Sequence, residues 1–336
     1  MIPCLVETSV VAVVSHLLLD FPWKWGFMLG FVLAAVSPAV VVPCLLSLSD
    51  QGYGVEKGIP TLVIAAASID DVIAISGFGI CLGMIFSTGS AVWQGMKGPL
   101  EFGMGILYGI IVGVILWLLP NKRTENAILY RFFLLLGAGL LAVFGSKGIH
   151  FGGAGALGCL CVAFVAGFGW RKQGKIENKT QVNEYFNFMW MFFQPMLFGL
   201  IGTEIRISDL QMTTVGWGIV TLAIGLSCRV VVSFFAVMGG NLTLKERLFV
   251  ALAWLPKATV QAAIGSTALD YARDALAEGA LEDSIEVIMG AKVLTIAVLV
   301  ILITAPIGAV AIMLSAPKLL QKAPSEEDQE KSDAES

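Results

Sequence analysis

AAASIDDVIAI, residues Ala65–Ile75, places two adjacent carboxylates, Asp70 and Asp71, inside an otherwise apolar run from Gly58 to Phe86. A run of that length spans a lipid bilayer as a helix. An ionised carboxylate at membrane depth costs at least about 2.5–3.5 kcal/mol, so intramembrane acids usually serve a function. Helix packing gives no reason for two of them side by side. The pair therefore indicates a site for something positive, either a cation or a proton.

The composition of the whole chain is typical of a membrane protein. Of 336 residues, 57% are hydrophobic and only 14% are charged, whereas soluble domains carry about 25% charged residues. Window hydropathy predicts about ten membrane segments. They are Ile2–Leu19, Trp25–Leu46, Gly58–Phe86, Phe102–Leu119, Phe132–Phe144, Gly155–Phe168, Tyr185–Ile201, Val215–Gly239, Leu248–Leu269 and Ile285–Leu314. We predict an all-α polytopic membrane protein, with a transmembrane domain over residues 1–320 and a disordered acidic tail over residues 321–336.

Lysine and arginine are unevenly distributed among the predicted loops. Loops after even-numbered segments, together with the stem of the tail, hold about twelve, and loops after odd-numbered segments hold about five. Cytoplasmic loops carry the excess of these residues in membrane proteins. The even-numbered loops and the C-terminus are therefore expected to be cytoplasmic.

Few other ionisable side chains lie at membrane depth, and the main ones are Glu7, Arg229 and Lys257. Such groups normally face a cavity or one another. For Glu7 and Arg229, two interpretations stay open: they take part in function, or they form pairs that only hold the helices together. Adjacent carboxylates repel each other and make poor structural pairs, so the functional interpretation is favoured for Asp70 and Asp71.

The two aspartates predict a specific chemistry. Neighbouring carboxylates in a poorly solvated site cannot both ionise cheaply. A small cation such as Na⁺ or Li⁺ offsets their repulsion, and so does a proton, so the two compete for one site. Adjacent helix positions point about 100° apart, so one carboxylate can face the ion and the other a partner helix. We expect Asp71 to be the principal ligand and Asp70 a co-ligand or ion-pair partner, with groups of Ala67 and Ser68 as further candidates.

The second predicted segment is interrupted by Pro38 and Pro43. Proline removes a backbone donor and disrupts a helix. Carbonyls freed at membrane depth are tolerated only where they are buried in protein or line a watery cavity. The Val36 carbonyl and the Ser37 hydroxyl are therefore candidate Na⁺ ligands.

The ninth predicted segment is interrupted at Leu255-Pro256-Lys257. Lys257 could offset the C-terminal end of a half-helix dipole there. The two interruptions occupy matching positions, each following a helix with a buried charge (Glu7 or Arg229) and preceding another membrane helix. Paired interrupted segments are typical of an inverted-repeat transporter with its site at the membrane midplane. The first repeat is expected to be incomplete, without its opening helices.

Four motifs make the pattern specific: VSPAVVVP at 36–43, SIDD at 68–71, FQPMLFGLIG at 193–202 and WLPKATVQAAIG at 254–265. Together they closely resemble the animal NHA-type sodium/proton antiporters, the 9B subfamily of sodium/hydrogen exchangers within the monovalent cation:proton antiporter superfamily. The resemblance runs from about Glu7 to Leu320. Ile69, where the ubiquitous paralogue has an aromatic residue, favours the testis-type paralogue.

The resemblance implies a sodium or lithium/proton antiporter that works by elevator-type alternating access, without a cofactor. It implies a homodimer in the lipid bilayer and no nucleic-acid partner. It also implies Asp70 and Asp71 as the Na⁺-binding pair and a salt bridge between Glu7 and Arg229. Because arginine stays protonated in proteins, electroneutral exchange is expected unless Lys257 carries a proton. The plasma membrane is the expected location (the sperm flagellum membrane for the testis-type paralogue), with mitochondrial or endosomal membranes as alternatives.

Two other classes of function compete with antiport. Family members carry further membrane helices before Glu7, so the alternative is a transport-inactive truncated isoform or gene-copy product that at most dimerises with a full-length antiporter. Intramembrane aspartyl proteases need two aspartates on separate helices and a Gly-x-Gly-Asp signature. Here the aspartates are adjacent and the signature is absent from the sequence, so the chain is not expected to be an enzyme.

Overall fold

The computed structural model describes residues 1–86, 91–120, 126–149, 151, 153–172, 177–204, 212–277 and 285–322. Over these ranges the chain forms helices and no β-strand, which confirms the all-α prediction. The helices are α1 (Ile2–Leu19), α2 (Trp23–Ala34), α3 (Pro38–Asp50), α4 (Ile59–Phe86), α5 (Ala91–Leu118), α6 (Ala127–Gly148), α7 (Gly153–Lys172), α8 (Glu177–Glu204), α9 (Met212–Ala236), α10 (Leu244–Leu252), α11 (Thr259–Gly265), α12 (Thr267–Ala277) and α13 (Ile285–Leu319). The predicted acidic tail lies outside the described residues from position 323 onward.

Eight spans in the described part of the chain are long and apolar enough to cross a membrane, with Trp23–Asp50 taken as one. Two of the ten predicted segments are not among them. Leu248–Leu269 is divided between α10, α11 and α12, and Tyr185–Ile201 lies within α8. The prediction that Pro43 interrupts its segment is wrong, because Pro43 lies inside the continuous helix α3.

The chain forms two compact units, and α4 contributes to both. The first consists of Met1–Ala74 and Ile205–Ser336, and the second of Ile75–Glu204. In the second unit, α5 carries a row of glycines, one every four residues, that faces α7. They are Gly105, Gly109 and Gly113. A Cβ on Gly109 would lie 2.1 Å from the Cβ of Cys161. Such small residues let membrane helices approach closely where apolar surfaces alone provide little attraction.

In the first unit, α1 packs against both α2 and α9. The contact with α2 depends on Gly30, where a Cβ would lie 2.5 Å from the carbonyl oxygen of Thr8. The contact with α9 depends on Gly225, where a Cβ would lie 2.8 Å from Val11. Close packing on both sides brings the middle of α1, and with it Glu7, deep into the unit.

The first predicted break is confirmed: α2 ends at Ala34 and α3 begins at Pro38. Ala35 and Ser37 are both extended. A residue that precedes proline is biased away from the helical conformation, so Pro38 accounts for the extended Ser37. Proline is well tolerated at the first position of a helix, and α3 can therefore start directly at Pro38.

The second predicted break is also confirmed, between the end of α10 at Leu252 and the start of α11 at Thr259. The two breaks meet, because the Ser37 backbone N–H donates to the carbonyl of Pro256 at 3.0 Å. Helix α13 passes the second break at Gly308, where a Cβ would lie 2.5 Å from the Pro256 ring. Two interrupted helices therefore cross at their unwound parts.

Three segments of the first unit also meet away from the breaks, in the loop that follows α3. Lys57 in this loop forms a 2.8 Å ion pair with Glu246 in the first turn of α10. The N–H of Gly54 donates to the carbonyl of Gln321 at 2.8 Å, just beyond the end of α13. The loop thus connects the start of α10 with the end of α13.

Candidate functional site

Five ionisable side chains from four parts of the chain are buried together in the first unit. They are Glu7 from α1, Asp70 and Asp71 from α4, Arg229 from α9 and Lys257 from the break between α10 and α11. Glu7, Arg229 and Lys257 are fully buried, and the two aspartates are 1% and 6% exposed. Charged groups this deeply buried require partners, and the partners form a connected network.

Glu7 lies between the two cations of this network. Its Oε2 is 2.5 Å from Nη1 of Arg229 and its Oε1 is 2.9 Å from Nζ of Lys257. Arg229 also reaches Asp70, whose Oδ2 lies 3.0 Å from Nη2. The α-ammonium of Met1 is 2.5 Å from the other oxygen of Asp70. Arg229 thus connects α1 with α4 through two carboxylates, which its planar donor fork permits.

The C-terminal end of α2 receives side-chain donors at consecutive carbonyls. Gln261 Nε2 donates to Val32 at 3.0 Å and to Ala35 at 2.8 Å. Between these, Lys257 donates to the carbonyl of Leu33 and Arg229 to that of Ala34. A helix end leaves its last carbonyls without backbone partners, and cations are favoured there by the helix dipole. The break between α2 and α3 is therefore stabilised by side chains from α9, from α11 and from the second break.

Asp71 is bonded differently from Asp70. Its Oδ1 accepts the backbone N–H of Val36 at 3.0 Å, inside the first break. Among the described residues, no cationic side chain lies within ion-pair distance of Asp71, whereas Asp70 and Glu7 both have such partners. Three carboxylates against two cations leave the side chains of the network with one excess negative charge. That excess falls on Asp71.

Hydroxyl groups occupy the crossing of the two breaks. The Ser37 hydroxyl is buried and lies 3.4 Å from the Thr259 hydroxyl. Thr304 on α13 accepts the N–H of Lys257 at 3.1 Å and lies 3.2 Å from the Lys257 carbonyl. These hydrogen bonds hold the unwound backbone segment that contains Lys257.

The structure separates the candidate ligands that were named from the sequence. Val36 and Ser37 lie fully buried at the break beside Asp71. Ala67 is also buried, in an apolar cluster that includes Val36. Ser68 is not brought to this site: it is exposed, and its hydroxyl donates to the carbonyl of Ile64 at 3.0 Å. Residues three positions apart on a helix are offset by about 60°, and across this offset Ser68 lies exposed while Asp71 is buried.

Gln261, Thr259 and Thr304 were not among the candidate site residues named from the sequence, although each bonds to a break. A signal for the first two was present, because they follow the Pro256-Lys257 break within an apolar run. Thr304 lies in the middle of a long apolar helix and carries no such signal. Its bonds to Lys257 join residues 47 positions apart.

Sequence comparison gives the family. A profile of the family described as "Sodium/hydrogen exchanger, transmembrane" matches residues 1–314. The chain belongs to this family. Its relatives are exchangers of the 9B subfamily, transporters rather than enzymes, and the chain is a multi-pass integral membrane protein.

Relatives from the 9B subfamily match almost the whole chain. Sodium/hydrogen exchanger 9B2 of Homo sapiens is 49% identical over 320 residues, covering 95% of this chain and 58% of the relative. The 9B2 exchanger of Xenopus tropicalis is 50% identical, covering 96% of this chain and 58% of the relative. Human 9B1 is 41% identical, covering 95% of this chain and 60% of the relative. The testis-type assignment, which depends on Ile69 alone, gains nothing from these identities and stays a prediction.

The chain spans about three fifths of the length of these relatives. A solved structure supports the fold: the sodium proton antiporter MjNhaP1 from Methanocaldococcus jannaschii matches with a TM-score of 0.69. That match covers 95% of this chain and 77% of the antiporter, at 16% sequence identity. The antiporter fold is therefore retained where most of the sequence differs.

Proposed function

We propose that this chain exchanges Na⁺ or Li⁺ for protons across a membrane, with Asp71 as the carboxylate for which the two compete. The observation that carries the proposal is the contrast between the two aspartates: Asp70 is paired with Arg229, whereas Asp71 accepts the backbone N–H of Val36 and, among the described residues, has no cationic side chain within ion-pair distance. A buried carboxylate without a cationic partner needs either a proton or a metal cation. The family membership supports the same function.

The other residues have distinct roles in this proposal. Asp70 is the co-ligand, held in orientation by Arg229. The Ser37 hydroxyl and the Val36 carbonyl supply neutral oxygens, which hard cations prefer. Glu7, Arg229 and Lys257 form a fixed framework that keeps the ends of both breaks in place. Because one monovalent cation and one proton carry the same charge, replacing one by the other at Asp71 leaves the charge of the site unchanged, and the exchange is electroneutral.

The loop charges and the family resemblance support the following arrangement in the cell. The C-terminus faces the cytoplasm, the protein lies in the plasma membrane, and it acts as a homodimer. Elevator-type movement of the first unit carries Asp71 from one side of the membrane to the other. Alternate exposure of one site is what exchange requires, because cation and proton bind in turn.

The test is flux in proteoliposomes. The chain is reconstituted with an internal pH dye, a pH gradient is imposed, and Na⁺- or Li⁺-dependent proton flux is recorded. Asp71→Asn should abolish the flux, and Asp70→Asn should reduce it. Asp20→Asn is the matched control: Asp20 is exposed in a left-handed conformation that asparagine also adopts, so flux should be unchanged. Absent flux from folded wild-type chain, or full flux from Asp71→Asn, would contradict the proposal.

A further inference from the structure

The last described residues of the chain are fixed against the loop that follows α3. The Gln321 carbonyl accepts the N–H of Gly54 at 2.8 Å. Lys322 pairs with Tyr53 as in an antiparallel sheet, and its Nζ lies 5.9 Å from the centre of the Tyr53 ring. Leu320, just before them, is buried in an apolar cluster of the first unit. The acidic tail that follows in the sequence therefore starts from a fixed point on this unit.

Cationic side chains lie on the segments that meet at this point. Lys57 follows Gly54 by three residues, so their Cα atoms are at most about 11 Å apart. The 2.8 Å ion pair of Lys57 with Glu246 brings the first turn of α10 to the same place. Lys318 lies in the last turn of α13, directly before the fixed end. The cations of these segments are here called the basic face: Lys57, Lys245, Arg247, Lys318 and Lys322.

The basic face and the acidic tail are complementary in charge. Among the described residues of the same segments, the acids are Asp50, Glu56 and Glu246, and Glu246 is already bonded to Lys57. The segments therefore carry more cations than acids. The tail has the opposite balance, with Lys331 as its one cation after Lys322. Its acids are Glu326, Glu327, Asp328, Glu330, Asp333 and Glu335.

We infer that the acidic tail, residues 323–336, binds the basic face of its own chain. The inference goes beyond the exchange of ions proposed above and does not depend on it, because none of the cations of the basic face belongs to the buried network of Glu7, Asp70 and Asp71.

The tail is long enough to reach the basic face. Glu326 and Asp328 lie four and six residues beyond Lys322, which corresponds to a reach of up to about 13–22 Å for extended chain. This reach exceeds the largest possible separation of Gly54 and Lys57. A short flexible connection also keeps the two partners at an effective concentration in the millimolar range. The tail therefore has an advantage over any free anion of similar charge.

The contact is electrostatic and reversible. An exposed ion pair contributes only about 0.2–1 kcal/mol, and salt screens it. Several such pairs must add up before the tail stays bound. In the bound form, the tail joins the loop after α3, the start of α10 and the end of α13, which the Lys57–Glu246 pair and the Gly54–Gln321 bond already connect.

The experiment is zero-length cross-linking of the full chain in nanodiscs that contain phosphatidylserine. A carbodiimide joins a lysine amine and a carboxylate in contact as an amide, with loss of water. The monomer band is digested and its cross-linked peptides are quantified by mass spectrometry. Amides should join the tail acids to Lys57, Lys245 and Lys318. Amides between Lys331 and its neighbouring tail acids show that the reagent has reached the tail.

Lys24 is the matched control lysine. It is exposed and lies at the start of the span Trp23–Asp50, whereas Lys57 lies just beyond its end. The two lysines are therefore on opposite sides of the membrane, and Lys24 should form no amide with the tail of the same chain. A yield at Lys24 equal to that at Lys57 would overturn the inference.

Two variants test the role of charge. In the double variant Lys245→Gln/Lys318→Gln, the yield of tail amides at Lys57 should fall by about two- to fivefold for each ion pair lost. Lys24→Gln should leave that yield unchanged. Raising choline chloride from about 0.1 M to about 1 M, which shortens the screening length from about 10 Å to about 3 Å, should also lower the yield. A yield that neither the double variant nor salt reduces would refute an electrostatic contact.

Three other results would overturn the inference. The first is a sample in which Lys331 forms amides with the tail but the lysines of the basic face form none. The second is amides found in the band of cross-linked dimers and not in the monomer, which would assign the tail to a second copy. The third is amides that form in phosphatidylcholine nanodiscs and disappear with phosphatidylserine, because anionic lipid would then occupy the basic face.

Discussion

Arg229 and Lys257 are fully buried, and each binds both a carboxylate and a carbonyl at the end of α2. The carboxylate they share is Glu7. Removing one partner from a buried ion pair leaves an uncompensated charge, which is far more costly than the net stabilisation that the intact pair provides. At the scale of single residues, Glu7 is therefore the group on which the framework of the site depends most.

Glu7→Gln tests this dependence. The amide has the same shape but no charge, so two buried cations lose their common counter-charge. We expect a loss of about 3–5 kcal/mol in the free energy of unfolding, seen as a lower melting temperature in detergent. Ser9→Ala is the matched control on the same helix, because Ser9 is exposed and its hydroxyl donates to the carbonyl of Leu5 within the helix. A Glu7→Gln protein as stable as Ser9→Ala would show that the network does not hold the helices together.

At the scale of elements, the site is made by two broken helices that cross at their unwound parts. Prolines in the sequence predicted both breaks, because their effect on the backbone is local. The partners of the freed carbonyls were not predicted, since Gln261 and Arg229 bond to residues 226 and 195 positions away. Helical periodicity indicates which face of a helix is apolar. It does not indicate which distant side chain reaches a given carbonyl.

Gly308→Ala tests the contact between α13 and the second break. A Cβ at Gly308 would lie 2.5 to 2.8 Å from atoms of Pro256, including its backbone nitrogen, so the helix or the break must move. We expect a loss of about 1–3 kcal/mol in the free energy of unfolding and a slower exchange of cations for protons in proteoliposomes. Gly216→Ala on α9 is the control, because its Cβ would meet nothing within 4 Å. Its thermal stability should be equal to or above wild type, since alanine favours helices over glycine.

The ion pair between Lys57 and Glu246 connects the loop after α3 with α10, and its contribution to stability can be measured. Burial by itself would raise the pKa of Glu246, but hydrogen bonds from Lys57 and from the backbone and side chain of Thr243 outweigh it, and the pKa lies below its ordinary value of 4.5. A carboxylate with a lowered pKa stabilises the fold above its unfolded-state pKa and loses that contribution as pH falls through its folded-state value.

Glu246→Gln should therefore lower the melting temperature near neutral pH. The difference between wild type and variant should shrink as pH is lowered below about 4.5, the range in which the wild-type carboxylate takes up its proton. Thermal melts of both proteins at matched pH values measure this difference in melting temperature. A difference that stays constant across the acid range would show that the charge of Glu246 is unimportant.

At the scale of the whole molecule, the sequence predicted the fold class and the charged residues, and the structure supplied their connections. Composition and hydropathy sufficed for an all-α membrane protein, because bilayer thickness fixes the length of its helices. Ser37 was named from the sequence as a candidate ligand and Ser68 as a further one, and of the two, Ser37 lies at the crossing. The division of α4 between two compact units was also not predictable, since it depends on packing between distant segments.

The charge balance of the site gives a prediction for transport by the whole protein. If one proton replaces one monovalent cation at Asp71, the loaded site carries the same charge in both directions. The exchange rate in sealed liposomes should then be unchanged when a K⁺ diffusion potential is imposed. The rate of a step that moves one net charge across the membrane would instead change by up to about 50-fold per 100 mV. A rate that depends on the potential would mean that a further group, with Lys257 as the candidate, also carries a proton.

The ion pairs of the site also have a consequence for biosynthesis. Arg229 is synthesised 159 residues after Asp70, and Lys257 is synthesised 250 residues after Glu7. At about 5–20 residues per second, the ribosome needs roughly ten seconds to a minute to supply these cations. During that interval the acids are already in the nascent chain, without the arginine and lysine that later neutralise them. The ion pairs of the site can therefore form only once α9 and the second break have been made, which makes assembly of the site a late step of membrane insertion.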